Sequence, residues 1–92
     1  MYEPKYLVIN GYKLEQTCSA CPEQYDVYDA EDNYVGYLRL RHGHFQAQYP
    51  CCGGETVYES NPKGDGVFNV DERMGELESA VAAIHRKISE NN

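Results

Sequence analysis

Residues 24–49, QYDVYDAEDNYVGYLRLRHGHFQAQY, constrain the fold more than any other part of the chain, because two turns within them fix the register of three strands. His42-Gly43 is a two-residue loop between two strand-forming runs. With those residues at the tip, Arg41 pairs with His44, Leu40 with Phe45, Arg39 with Gln46, Leu38 with Ala47, Tyr37 with Gln48 and Gly36 with Tyr49. Side chains alternate across a strand, so Leu38, Leu40, Phe45, Ala47 and Tyr49 share one face, and Tyr37, Arg39, Arg41, His44, Gln46 and Gln48 the other. Continuing back through a turn at 30–33 adds Tyr25 and Val27 to the first set and Gln24, Asp26, Tyr28 and Val35 to the second. One set reads as a core face, the other as a polar and aromatic face.

The flanking segments extend the same pattern. Asn10-Gly11 tolerates the positive φ of a tight hairpin turn and predicts a hairpin over 6–15. Pro50 has no N–H to donate and ends the strand before it; a short strand follows at 56–59, then a Pro/Gly-rich loop at 61–66. The tail 70–89 reads as a helix, with Met74, Leu77, Val81, Ile84 and Ile88 spaced three and four apart on one stripe. Asn69 with Glu72 three residues on is an N-cap with its capping-box partner, and His85, Arg86 and Lys87 suit the negative C-terminal end. Such a helix is marginal alone in water and must bury its stripe against the sheet. The expectation is a single α+β domain spanning 1–92: an antiparallel meander of about five to six strands, its main part at 24–59, covered on one face by a C-terminal helix.

Ninety-two residues suffice for one core and not for two. The chain has no Trp, so its nine tyrosines supply the aromatic bulk, and their hydroxyls keep many of them near water. A net charge of -7 argues against binding nucleic acid or an anionic membrane with the whole surface. No apolar run approaches a bilayer span and the start of the chain lacks a basic region followed by an apolar one, so we expect a cytoplasmic protein without a membrane role, its four cysteines reduced.

The polar face carries the best functional candidates: Tyr28, Tyr37, Arg39, Arg41, His44, Gln46 and Gln48. Arg and Tyr combine large contact area with directional hydrogen bonds and are enriched where proteins bind one another. The plainer reading is an ordinary solvated sheet face with Asp26 paired diagonally to Arg39. A third is single-stranded nucleic acid stacked on the tyrosines, disfavoured by the acidic total.

Cys18-x-x-Cys21 has zinc-knuckle spacing, and Cys51-Cys52 resembles the second half of a four-cysteine site. The register places the two pairs at opposite ends of the meander, about 25 Å apart at roughly 3.3 Å per residue. That separation excludes one shared zinc and any disulfide between them. His42 and His44 fall at the same end as Cys18 and Cys21, leaving a Cys2His2 zinc site of non-standard spacing open as an alternative; otherwise no cofactor is expected. A redox CxxC opens a helix, whereas Pro22 and Glu23 lead here into a strand. No serine has a nucleophile-elbow setting, Asp65 with Asp71 and Glu72 reads as a loop and helix start, and neither Gly53-Gly54 nor Gly64-x-Gly66 has the lysine of a phosphate loop. We therefore expect no enzyme.

The string Cys21-Pro-Glu-Gln-Tyr-Asp-Val-Tyr, followed by Val35-Gly-Tyr-Leu-Arg-Leu-Arg-His-Gly-His-Phe, resembles small uncharacterised proteins encoded by bacterial phages, prophages and their hosts. The likeness covers roughly residues 17–84 and attaches no activity or site residue. It implies a mobile-element accessory protein of the bacterial cytoplasm whose partner is a host protein.

Overall fold

A computed structural model describes residues 5–18 and 23–90. Six strands, β1 (Lys5–Ile9), β2 (Tyr12–Cys18), β3 (Glu23–Tyr28), β4 (Tyr34–Arg41), β5 (His44–Tyr49) and β6 (Glu55–Ser60), precede one helix, α1 (Val70–Glu90). The strands form one open antiparallel sheet in the order of the sequence, and α1 packs on one side of it. This is the α+β meander with a C-terminal helix that the alternation predicts.

The turns explain why the register holds. Asn10 and Gly11 have φ of 52° and 86°, and His42 and Gly43 of 54° and 74°, the paired positive values that let a two-residue loop follow the twist of its strands. Between β3 and β4 the carboxylate of Asp29 accepts the backbone N–H groups of Glu31 and Asn33, both at 2.9 Å, and the Asn33 amide at 3.1 Å. β4 and β5 pair from Arg41↔His44 to Tyr37↔Gln48, as expected. Bulges between Val27 and Tyr28 and between Ala47 and Gln48 shift the ladder at the far end.

The core lies between sheet and helix. Leu14, Tyr25, Val27, Leu38, Leu40, Phe45 and Ala47 project from the strands onto Leu77, Ala80, Val81 and Ile84 of α1. Phe45 meets Phe68 edge to face at 4.8 Å between ring centroids. Gly36 lets the helix come close to β4: a Cβ there would stand 2.6 Å from Ile84 Cδ1 and 3.2 Å from the Gln48 carbonyl oxygen. The helix starts as its cap pattern predicts, Glu72 accepting the Asn69 N–H at 2.9 Å. The same carboxylate also accepts the Lys63 and Gly64 N–H groups at 2.8 Å, tying the loop before the helix to its first turn.

Met74 does not join the helix stripe; it is 48% exposed. The inward position one turn before Leu77 belongs to Arg73, whose guanidinium reaches Glu23 at 2.8 Å (Nε) and 3.1 Å (Nη2), so Met74 falls on the flank. Glu23 is 1% exposed on the core side of β3, opposite Leu40. Its carboxylate also accepts the Tyr25 hydroxyl and the Phe68 N–H, and its own N–H donates to the Gly66 carbonyl. Both carboxylate oxygens and the N–H of Glu23 are therefore used, and all three join the first residue of β3 to the helix entry. Burial alone would raise the Glu23 carboxyl pKa; Arg73, Tyr25 and the Phe68 N–H outweigh it and hold the group below its ordinary value.

Candidate interaction face

α1 is the one helix among the described residues, so no helix of theirs covers the other side of the sheet. The strand pairing arranges its side chains in cross-strand rows. One row runs Val8, Lys13, Tyr28, with Tyr34 next across the bulge; the next runs Tyr6, Glu15, Asp26, Tyr37, Gln48. Then come Gln24, Arg39, Gln46 and Glu59, and last Arg41 with His44. The face thus grades from a tyrosine-rich end to a basic end beside the His42-Gly43 turn.

The tyrosine end is tied together internally. Tyr28 and Tyr34 lie 5.7 Å apart between ring centroids, and the Lys13 ammonium stands 5.2 Å from the Tyr6 ring and 5.5 Å from that of Tyr28 while pairing with Asp32 at 3.0 Å. The Tyr37 hydroxyl donates to Gln24 at 2.8 Å. Burial, then the Asp26 charge, push the Tyr34 phenol up to about 12. Burial likewise raises Tyr28 and Tyr37, so these rings are neutral phenols. The diagonal Asp26–Arg39 ion pair does not form: Asp26 stands opposite Tyr37, and Arg39 sits one row away between Gln24 and Gln46.

At the basic end Arg39, Arg41, His42, His44 and Gln46 line a depression of about 280 Å³. His44 Nε2 lies 2.9 Å from a Glu59 carboxylate oxygen on β6. Lys13, Arg73 and Lys87 are each held by a carboxylate, whereas Arg39 and Arg41 form no ion pair among the described residues. All seven residues singled out from the sequence lie on this face, but the structure gathers only four of them, Arg39, Arg41, His44 and Gln46, around the depression. Tyr28 stands at the opposite end, Tyr37 is engaged with Gln24, and Gln48 accepts the Gly53 N–H at 2.9 Å and braces the turn after β5. Sequence reasoning passed over Tyr6, Val8, Lys13 and Tyr34, although carrying the alternation across the Asn10-Gly11 hairpin would have placed the first three here.

The Cys18, Cys21, His42, His44 arrangement rests partly on Cys21 and the Cys18 side chain, which lie outside the described residues. Among the described residues no group of three His, Cys, Asp or Glu is placed to hold a metal ion. Cys51 and Cys52 are exposed free thiols at the far end of β5 from the His42 turn. A second cavity, about 270 Å³, lies between the Asn10 turn and α1, where the Tyr12 hydroxyl and His85 Nδ1 face each other at 2.8 Å. No helix among the described residues is long and apolar enough to cross a membrane. No protein-family model, curated protein or solved structure matches the chain.

Proposed function

We propose that this chain is a non-enzymatic protein-interaction module that binds through the open face of its sheet, and that it serves as a phage or mobile-element accessory protein acting on a host protein in the bacterial cytoplasm. The observation that carries the reading is the unequal treatment of the two faces. One helix covers the first, and the second presents Tyr28, Tyr34 and Tyr37 toward one end and Arg39 and Arg41 at a depression toward the other. Aromatic rings held by neighbours lose little freedom on binding, and arginines without an internal carboxylate have hydrogen-bonding capacity to offer. The mobile-element context comes from the sequence resemblance alone.

Immobilised protein incubated with a bacterial host lysate tests the face directly. The expected result is one or a few proteins retained by the wild type and lost from both Tyr28→Ala/Tyr37→Ala and Arg39→Ala/Arg41→Ala. Equal recovery by all three proteins removes the reading.

A further inference from the structure

We infer that the partner presents a short run of carboxylates to the corner formed by Arg39, Arg41, His42 and His44; this deepens, and rests on, the reading of the open face as an interaction surface. The chain carries -7 overall, so a basic corner left without internal ion pairs at its two arginines runs against its own composition. Arg39 and Arg41 are two residues apart on one face of β4, hence about 6.6 Å along the strand. Alternate residues of an extended acidic segment repeat at that same spacing, so successive carboxylates of such a segment meet successive guanidiniums. His44 and Gln46 stand opposite them on β5 and close the side of the depression with further donors.

The surroundings limit what can sit there. Glu59 flanks the corner beside His44, Asp65 approaches Gly43 to within 3.9 Å of where its Cβ would be, and Asp26 with Glu15 occupy a neighbouring row. A single strand of nucleic acid, charged at every phosphate, would run from the arginines onto these carboxylates within a few nucleotides. A polypeptide can place two or three acidic residues at the corner and apolar ones on the tyrosine end.

The test uses fluorescence anisotropy with a fluorescein-labelled hexaglutamate peptide, with labelled hexathymidylate as the nucleic-acid arm. We expect saturable hexaglutamate binding that weakens with salt and falls by about tenfold or more in Arg39→Gln/Arg41→Gln. The Arg86→Gln/Lys87→Gln variant makes the same change in net charge on α1, on the other side of the sheet, and should bind as the wild type does. No binding by the wild type, or equal loss in the two double variants, overturns the inference. Tighter binding of hexathymidylate than of hexaglutamate overturns it in favour of nucleic acid. If hexaglutamate ignores the arginines while the lysate partner is still lost from Tyr28→Ala/Tyr37→Ala, the interaction face stands and the acidic segment alone is wrong.

Discussion

The two faces of this sheet come from the same alternation along the same strands, yet they differ in how their charges are handled. On the covered face Glu23 and Arg73 are brought together with Tyr25 and the Phe68 N–H, and no buried side-chain polar atom among the described residues lacks a partner. On the open face Arg39 and Arg41 lie exposed to solvent in part or largely, with no carboxylate taken up among the described residues. A low-dielectric interior penalises an unpaired charge heavily, so pairing there is a condition of folding. Water screens the open face, so its charges are free to be arranged for something else. The comparison teaches where a substitution should register in stability and where only in binding.

The largest effect belongs to the covered charge. Glu23→Ala strands the Arg73 guanidinium and leaves the Phe68 N–H and Tyr25 hydroxyl without their acceptor; we expect a loss of roughly 3–5 kcal/mol in urea unfolding. Glu23→Leu/Arg73→Met removes both charges and should recover most of that loss. If the double variant is as unstable as Glu23→Ala, the apolar contacts of the site and not the pairing set its stability. The pH dependence has a definite sign. Glu23 is depressed in the folded state, so its contribution is present above its unfolded pKa and is lost as pH falls through the lower folded value. Tyr25 is raised by burial and then by Glu23, so its contribution is full below its unfolded pKa and declines as pH climbs above that value. Denaturant midpoints across pH should fall at both ends in wild type and flatten at the acid end in Glu23→Leu/Arg73→Met.

Most of the fold was legible because turns and alternation are local. Asn10-Gly11 and His42-Gly43 name their own geometry, and the faces follow by counting in twos. What escaped was the role of Glu23, read only as leading into a strand. Counting back two from Tyr25 places it on the core face, and counting back four from Leu77 places Arg73 on the helix stripe. Two opposite charges, each in phase with a buried surface, announce a buried pair. The apolar spacing that suggested Met74 cannot distinguish an inward arginine from an inward methionine. The candidate site was legible as a face but not as a depression: which of its residues are free depends on side-chain hydrogen bonds such as Tyr37 to Gln24 and Gly53 N–H to Gln48, the second beside a bulge, and alternation encodes neither.

Gly36 offers an intermediate case at the closest approach of sheet and helix. Gly36→Ala puts a methyl group 2.6 Å from Ile84 Cδ1; that side chain has little room to retreat, since Ile84 is fully buried. The nearby Gln48 carbonyl at 3.2 Å is backbone and cannot swing away. We expect about 1–3 kcal/mol of destabilisation by overpacking, and relief of part of it in Gly36→Ala/Ile84→Val, which shortens the clashing branch. Additive losses in that double variant would place the strain at the Gln48 carbonyl instead.

The smallest expected effect is the one that most exposes the contrast between the faces. Arg39→Gln/Arg41→Gln removes two charges that no described carboxylate holds, so its urea midpoint should stay within about 0.5 kcal/mol of wild type, the range of ordinary surface changes. In a chain of net charge -7 the substitution also increases self-repulsion, which acts over the whole molecule and is screened by salt. Measuring the midpoint at low and at high ionic strength separates the two contributions: a difference that vanishes with salt is general repulsion, and one that persists means the arginines hold the sheet locally. A persistent loss beyond about 2 kcal/mol would make the open face part of the scaffold, because charges that the fold needs are not free to be spent on a partner.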